Sequence, residues 1–174
     1  MSVTKMIRSS EWSTSHELQA VVEGRNSNGE FIRVNSPLQV LQSALTALRE
    51  GRPSEAVEHF DDDFAFSDQA LALEFRDKRR LTEFFEKTRE LFPDTTLEVV
   101  SLFESGDHAI TEWKLTGTQT VPYGSIGWRV PISLFGSTII HVENGRIVRW
   151  SEYYDQSSSR RVSLASFFTD WVEY

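Results

Sequence analysis

The spacing of apolar residues changes once along this chain, at Pro93. Ahead of it the period is helical. Leu38, Leu41, Leu45 and Leu48 form one stripe, opened by Ser36 as N-cap, Pro37 at the first helical position and Gln39 placed to close a capping box, and ended by Gly51. A short second helix runs from Pro53 through His59. Asp61-Asp62-Asp63 turns the chain into a strand near Phe64 to Asp68, and adjacent carboxylates on an extended chain cannot converge on one ion. A third helix spans Asp77 to Phe92, with Leu81, Phe84, Phe85, Thr88 and Leu91 on its buried side.

Beyond Pro93 the period becomes two. Thr95 to Glu104, His108 to Gln119, Arg129 to Val142 and Arg146 to Tyr154 read as long antiparallel strands, with turns at Ser105-Gly106-Asp107 and Asn144-Gly145. Three helices followed by such strands predict an α+β fold: a cone-shaped, strongly curved antiparallel sheet packed over three N-terminal helices, a cystatin-like roll. Its apolar interior is a natural small-molecule site.

Asn-Gly between two β-rich runs is the strongest short hairpin signal. Counting outward from a two-residue loop pairs His141 with Val148, Ile139 with Trp150, Ser137 with Glu152 and Phe135 with Tyr154. One face then carries Phe135, Ile139, His141, Trp150, Glu152 and Tyr154, apolar groups around one carboxylate, which is the composition of a ligand pocket. Gly136 is the point where a bulge would shift that register. The opposite face carries Ile110, Ile140, Val142 and Ile147, a surface that needs a cover and predicts a homodimer.

Residues 1–34 read as an N-terminal extension, residues 35–157 as the main domain, and residues 158–174 as a C-terminal segment packing on it. Within the extension, Leu18 to Glu23 and Phe31 to Val34 flank the turn-rich Asn26-Ser27-Asn28-Gly29 as a hairpin; a short helix from His16 to Glu23 is the competing reading.

Composition narrows the function classes. The 174 residues are 39% hydrophobic and 25% charged, as in an ordinary globular protein of one domain. A net charge of −8 argues against nucleic acid. No apolar run suits a membrane span or a signal peptide, so the cytoplasm is the expected compartment. Without cysteine there is no thiolate chemistry, and four histidines without ligand spacing predict no metal site and no cofactor.

Several segments, taken in order, carry a family resemblance. They are Ala47-Leu48-Arg49-Glu50-Gly51, Phe64-Ala65-Phe66-Ser67-Asp68, Glu90-Leu91-Phe92-Pro93-Asp94, Gly106-Asp107-His108-Ala109, Trp113-Lys114-Leu115-Thr116-Gly117-Thr118, and Asn144-Gly145-Arg146-Ile147 leading into Trp150-Ser151-Glu152-Tyr153-Tyr154-Asp155. From about residue 38 to 157 the chain resembles the nuclear transport factor two-like superfamily, nearest its SnoaL-like polyketide cyclase and limonene epoxide hydrolase-like branches. The resemblance implies dimers and puts Glu152 where these enzymes keep an acid/base carboxylate. Phe66 and Asp68 stand where the epoxide hydrolases hold the attacking water with a Tyr and an Asn. Trp113 and Leu115 replace the Arg and Asp those hydrolases need, which argues against epoxide opening.

The expected catalytic residues are therefore Glu152 and Asp68, with Phe66, Trp113, Phe135, His141, Trp150 and Tyr154 against the substrate. A carboxylate walled by aromatic rings is partly desolvated and suited to proton transfer near neutral pH. His141 falls ~13 Å from Glu152 at ~3.3 Å per residue, too far for direct coupling, and reads as a rim or core histidine. Two readings remain. One is a cofactor-independent cyclase or isomerase for a small, apolar, oxygenated substrate. The other is a non-catalytic ligand-binding or dimerisation module. A polar, open cavity holding both Glu152 and Asp68 favours the first, and one plugged by aromatic rings the second.

Overall fold

The computed structural model describes residues 5–8, 21–25, 31–123 and 126–155. Three strands come first: β1 (Lys5–Arg8), β2 (Val21–Arg25) and β3 (Phe31–Asn35). They are followed by α1 (Pro37–Arg49), α2 (Pro53–Val57), β4 (Phe60–Asp68), β5 (Leu73–Phe75) and α3 (Lys78–Leu91). Four long strands complete the described chain: β6 (Thr96–Ser105), β7 (His108–Tyr123), β8 (Ile126–Glu143) and β9 (Arg146–Tyr154). The helices start where the sequence says they should. Ser36 closes a capping box with Gln39 on α1, and Asp77 accepts from the Arg80 amide on α3. The Leu38 amide donates to Glu104 on β6 at 2.7 Å, fastening the first turn of α1 to the sheet.

The architecture is α+β, as expected. An open seven-stranded sheet has the order β1-β6-β7-β8-β9-β4-β5, and β2 pairs with β3 in a separate antiparallel hairpin. One pairing departs from the antiparallel expectation: β4 runs parallel to β9, because the chain crosses through β5 and α3 before the long strands begin. Register shifts in β4, β6 and β9 bend the sheet around the helices. The C-terminal segment from residue 158 lies outside the described residues.

The β8–β9 hairpin has the predicted loop but a different register. Asn144 and Gly145 both have positive φ, as a type I′ turn requires. Glu143 pairs with Arg146 and Val142 with Ile147, and the ladder then resumes at His141 with Arg149, leaving Val148 as a bulge. Every pair beyond is displaced by one: Ile140 meets Trp150, Thr138 meets Glu152 and Gly136 meets Tyr154. Ile140, Val142 and Ile147 therefore point into the core, correcting their placement on the outer face; of that set only Ile110 is exposed. Gly136 marks no bulge. A Cβ there would come within 2.4 Å of the Trp113 ring, so glycine is the residue that lets this ring lie across β8.

The core lies between the concave face of the sheet and α1 and α3. Its densest part is aromatic: Phe60, Phe64, Phe66, Phe75, Phe84 and Trp150 are all buried. Trp150 sits 5.6 Å from Phe60 and 6.3 Å from Phe66 between ring centroids, and Phe66 meets Phe84 at 5.8 Å. This cluster fills one end of the layer and leaves the other end open.

Candidate functional site

Above the aromatic cluster, α1, α3 and the sheet enclose a cavity of about 550 Å³. Leu45 and Leu48 of α1, Phe84, Phe85 and Thr88 of α3, and Leu97, Leu115 and Leu134 of the sheet give it apolar walls. Exposed Arg49, Glu50 and Arg89 stand at the mouth. A second set of polar groups, Asp68, Thr138, Glu152 and Tyr154, lines the wall beside Trp113.

The strand ladder builds this second set. Asp68 closes β4 and pairs directly with Glu152 of β9, and Thr138 pairs with Glu152 from the other side. Asp68 is buried and well held: it accepts from the Leu71 amide at 2.9 Å and from the Tyr154 hydroxyl at 2.9 Å. Glu152 accepts from the Trp150 indole N–H at 3.0 Å. The Trp113 indole donates to the Thr138 hydroxyl at 3.0 Å, and its ring lies 5.8 Å from Tyr154, so two aromatic rings wall the carboxyl pair.

Facing carboxyls in an apolar enclosure cannot both ionise cheaply. Burial, then the charge of Asp68, pushes the Glu152 carboxyl up to about 8, against the opposing Trp150 hydrogen bond. Burial raises Asp68 as well, but hydrogen bonds from Leu71, Tyr154 and Ala70 stabilise its ionised form. Asp68 has the better donors, so the negative charge settles there and the proton on Glu152. Burial and the two carboxyls raise the Tyr154 hydroxyl too, which keeps it a donor. The result at neutral pH is a protonated glutamic acid exposed to an apolar cavity, backed by a fixed anion.

Residues 41–150 match the family model of the SnoaL-like domain. The chain belongs to the SnoaL-like domain family. Its fold is that of nuclear transport factor two-like proteins, as its structural neighbours agree. An NTF2-like protein from Burkholderia thailandensis superposes with a TM-score of 0.62 at 15% identity, over 74% of this chain and 97% of that one. IdmH of Streptomyces antibioticus, a proposed polyketide cyclase, gives 0.62 at 19% identity, over 71% of this chain and 95% of that one. An LEH-like epoxide hydrolase of M. tuberculosis gives 0.56 at 16% identity, over 74% and 89%. At these identities the likeness is one of fold. No curated protein matches the chain significantly.

In this SnoaL-like domain the residues expected at the site divide into three groups. Asp68, Trp113, Glu152 and Tyr154 line the cavity together. Phe66 and Trp150 do not; they are buried in the aromatic cluster beneath, and Trp150 reaches the site only through its N–H to Glu152. Phe135 and His141 are on the outer face, because the Val148 bulge reverses their side of the sheet relative to Trp150. Phe135 is 60% exposed with Lys114 over its ring, and His141 contacts Asp107. Arg129, on the neighbouring strand, pairs with Asp94.

The sequence reading missed Thr138 and the helix-borne wall, Leu48 and Thr88 above all. A signal was present. Ile147 and Trp150 both demand burial yet stand three apart on one strand, an odd spacing that only a bulge reconciles. No helix among the described residues is long and apolar enough to cross a membrane.

Proposed function

We propose that this SnoaL-like domain is a cofactor-independent acid/base enzyme of the cyclase or isomerase kind, acting on a small, apolar, oxygenated substrate. The observation that carries the reading is the Asp68–Glu152 pair in the wall of an open, largely apolar cavity. Glu152 donates its proton to the substrate carbonyl oxygen while ionised Asp68 accepts the α-hydrogen as a proton, giving the enol; reprotonation at carbon and return of the oxygen proton to Glu152 complete the cycle. Asp68, braced by Tyr154 and the Leu71 amide, keeps that proton on Glu152 at neutral pH. Leu97, Leu115 and Leu134 hold the hydrocarbon part and exclude water. With Trp113 and Leu115 inside the cavity where epoxide opening needs an Arg and an Asp, the wall favours proton transfer between carbon and oxygen over hydrolysis. The cavity is open beside both carboxyls, which favours an enzyme over a plugged binding module.

The reading is testable without the natural substrate. Mono- and bicyclic ketones incubated with the protein in deuterated water should exchange their α-hydrogens faster than buffer allows, followed by proton NMR. Exchange that Glu152→Gln leaves intact would contradict the assignment.

We also propose that the protein acts as a homodimer formed through the outer face of the sheet. Val100, Ile110, Phe135 and Tyr153 are exposed there, more apolar surface than isolated side chains explain. Light scattering at micromolar concentration should return twice the 20.0 kDa chain mass, and a monomer mass would refute the pairing.

A further inference from the structure

On the outer face of the sheet, remote from the cavity lining, the fold assembles a second set of chemically capable side chains. Asp107 ends the β6–β7 turn, His108 opens β7, and His141 stands directly opposite His108 on β8. The imidazole rings are parallel, 2° apart in tilt with centroids at 4.6 Å. The Asp107 carboxylate reaches both: one oxygen is 2.5 Å from His108 Nδ1 and the other 3.0 Å from His141 Nε2. Glu143, two residues along β8, places a carboxylate oxygen 3.7 Å from the same His141 nitrogen.

We propose that Asp107, His108 and His141, with Glu143 as a fourth ligand, form a surface site for a borderline transition-metal dication such as Zn²⁺. The donor atoms of the first three residues lie within 4.8 Å of one another. Tetrahedral coordination with arms near 2.0–2.1 Å spaces its donors about 3.3 Å apart, so small side-chain rotations suffice. Two imidazoles with carboxylate select zinc, nickel or copper over magnesium or calcium, which prefer oxygen shells. The frame is preorganised. His108 and His141 are fixed by the strand ladder, and the Asp107 carbonyl accepts from the Val142 amide at 2.9 Å, pinning the turn. Arg149, opposite His141 on β9, is exposed, so water screens its charge. A bound ion would clip the β6–β7 turn to β8 and stabilise the folded state by mass action.

The test is calorimetric titration of the tag-free full chain with zinc chloride, alongside magnesium and calcium chlorides. The expected result is one Zn²⁺ per chain with no saturable uptake of the alkaline-earth ions. His108→Gln and His141→Gln should each weaken binding at least about 10-fold, the low end of what even an outer-shell substitution costs. Glu152→Gln, inside the cavity, should leave it unchanged. Cobalt supplies a second readout: its visible spectrum should show tetrahedral nitrogen and oxygen ligation in the native chain and lose it in the His108→Gln/His141→Gln double variant. Absence of saturable Zn²⁺ binding, affinity untouched by the double variant, or binding abolished by Glu152→Gln would overturn the site.

Discussion

Glu152 shows how much of a side chain's chemistry is set by its neighbours. Burial at its strand position, then the charge of Asp68 opposite, raises a carboxyl that would titrate near 4.5 to about 8. If Glu152 is the proton donor, Glu152→Gln keeps the shape and removes the proton, so ketone exchange should fall by ~10²-fold or more with the fold intact by circular dichroism. Asp68→Asn acts differently. It deletes the anion that helps hold the Glu152 proton, so the alkaline limb of the exchange-rate profile should move to lower pH. A profile unmoved by Asp68→Asn would make Asp68 a turn-capping residue only. The capping role is real, through the Leu71 amide; the bond to Tyr154 depends on a register that the sequence did not reveal.

At the scale of elements, the helices and long strands were legible because their signals are local. Ser36, Pro37 and Gln39 mark one helix start, Asp77 and Pro93 bracket another helix, and Asn144-Gly145 fixes a loop. The faces were less legible because a single extra residue decides them. Val148 slips the ladder by one, sends Phe135 and His141 outward and brings Thr138 to Glu152. Nothing in Arg146-Ile147-Val148-Arg149 encodes that bulge locally; only the joint burial of Ile147 and Trp150 demands it. Gly136 carries a related lesson. Its missing side chain makes room for Trp113, with Tyr153 O also only 2.7 Å from the absent Cβ. Gly136→Ala should cost ~1–3 kcal/mol by overpacking and push Trp113 off the carboxyl pair. Chemical denaturation followed by tryptophan fluorescence measures both, and an unchanged midpoint would show that the strands can absorb the methyl group.

For the whole molecule, the buried carboxyls make stability depend on pH in an unusual direction. In the unfolded chain Glu152 releases its proton near 4.5, whereas the folded protein retains it to about 8. Between those values the folded state binds more protons than the unfolded one, so stability falls as pH rises and levels off above about 8. Asp68, also raised, contributes with the same sign. Glu152→Gln should therefore flatten the slope of the urea midpoint across that window. The antiparallel pairing of β6 through β9 and the α+β layering were readable from period alone, but the parallel β4–β9 contact was not, since it joins segments far apart in the chain. That contact is what brings Asp68 to Glu152.

The most direct measurement is the carboxyl carbon-13 shift of Glu152 followed against pH in the substrate-free protein, with Glu152→Gln identifying the resonance. The structure predicts a midpoint near 8, moving down in Asp68→Asn. A midpoint at the ordinary glutamate value, unmoved by Asp68→Asn, would show two independent surface-like carboxylates and contradict the proton-transfer site.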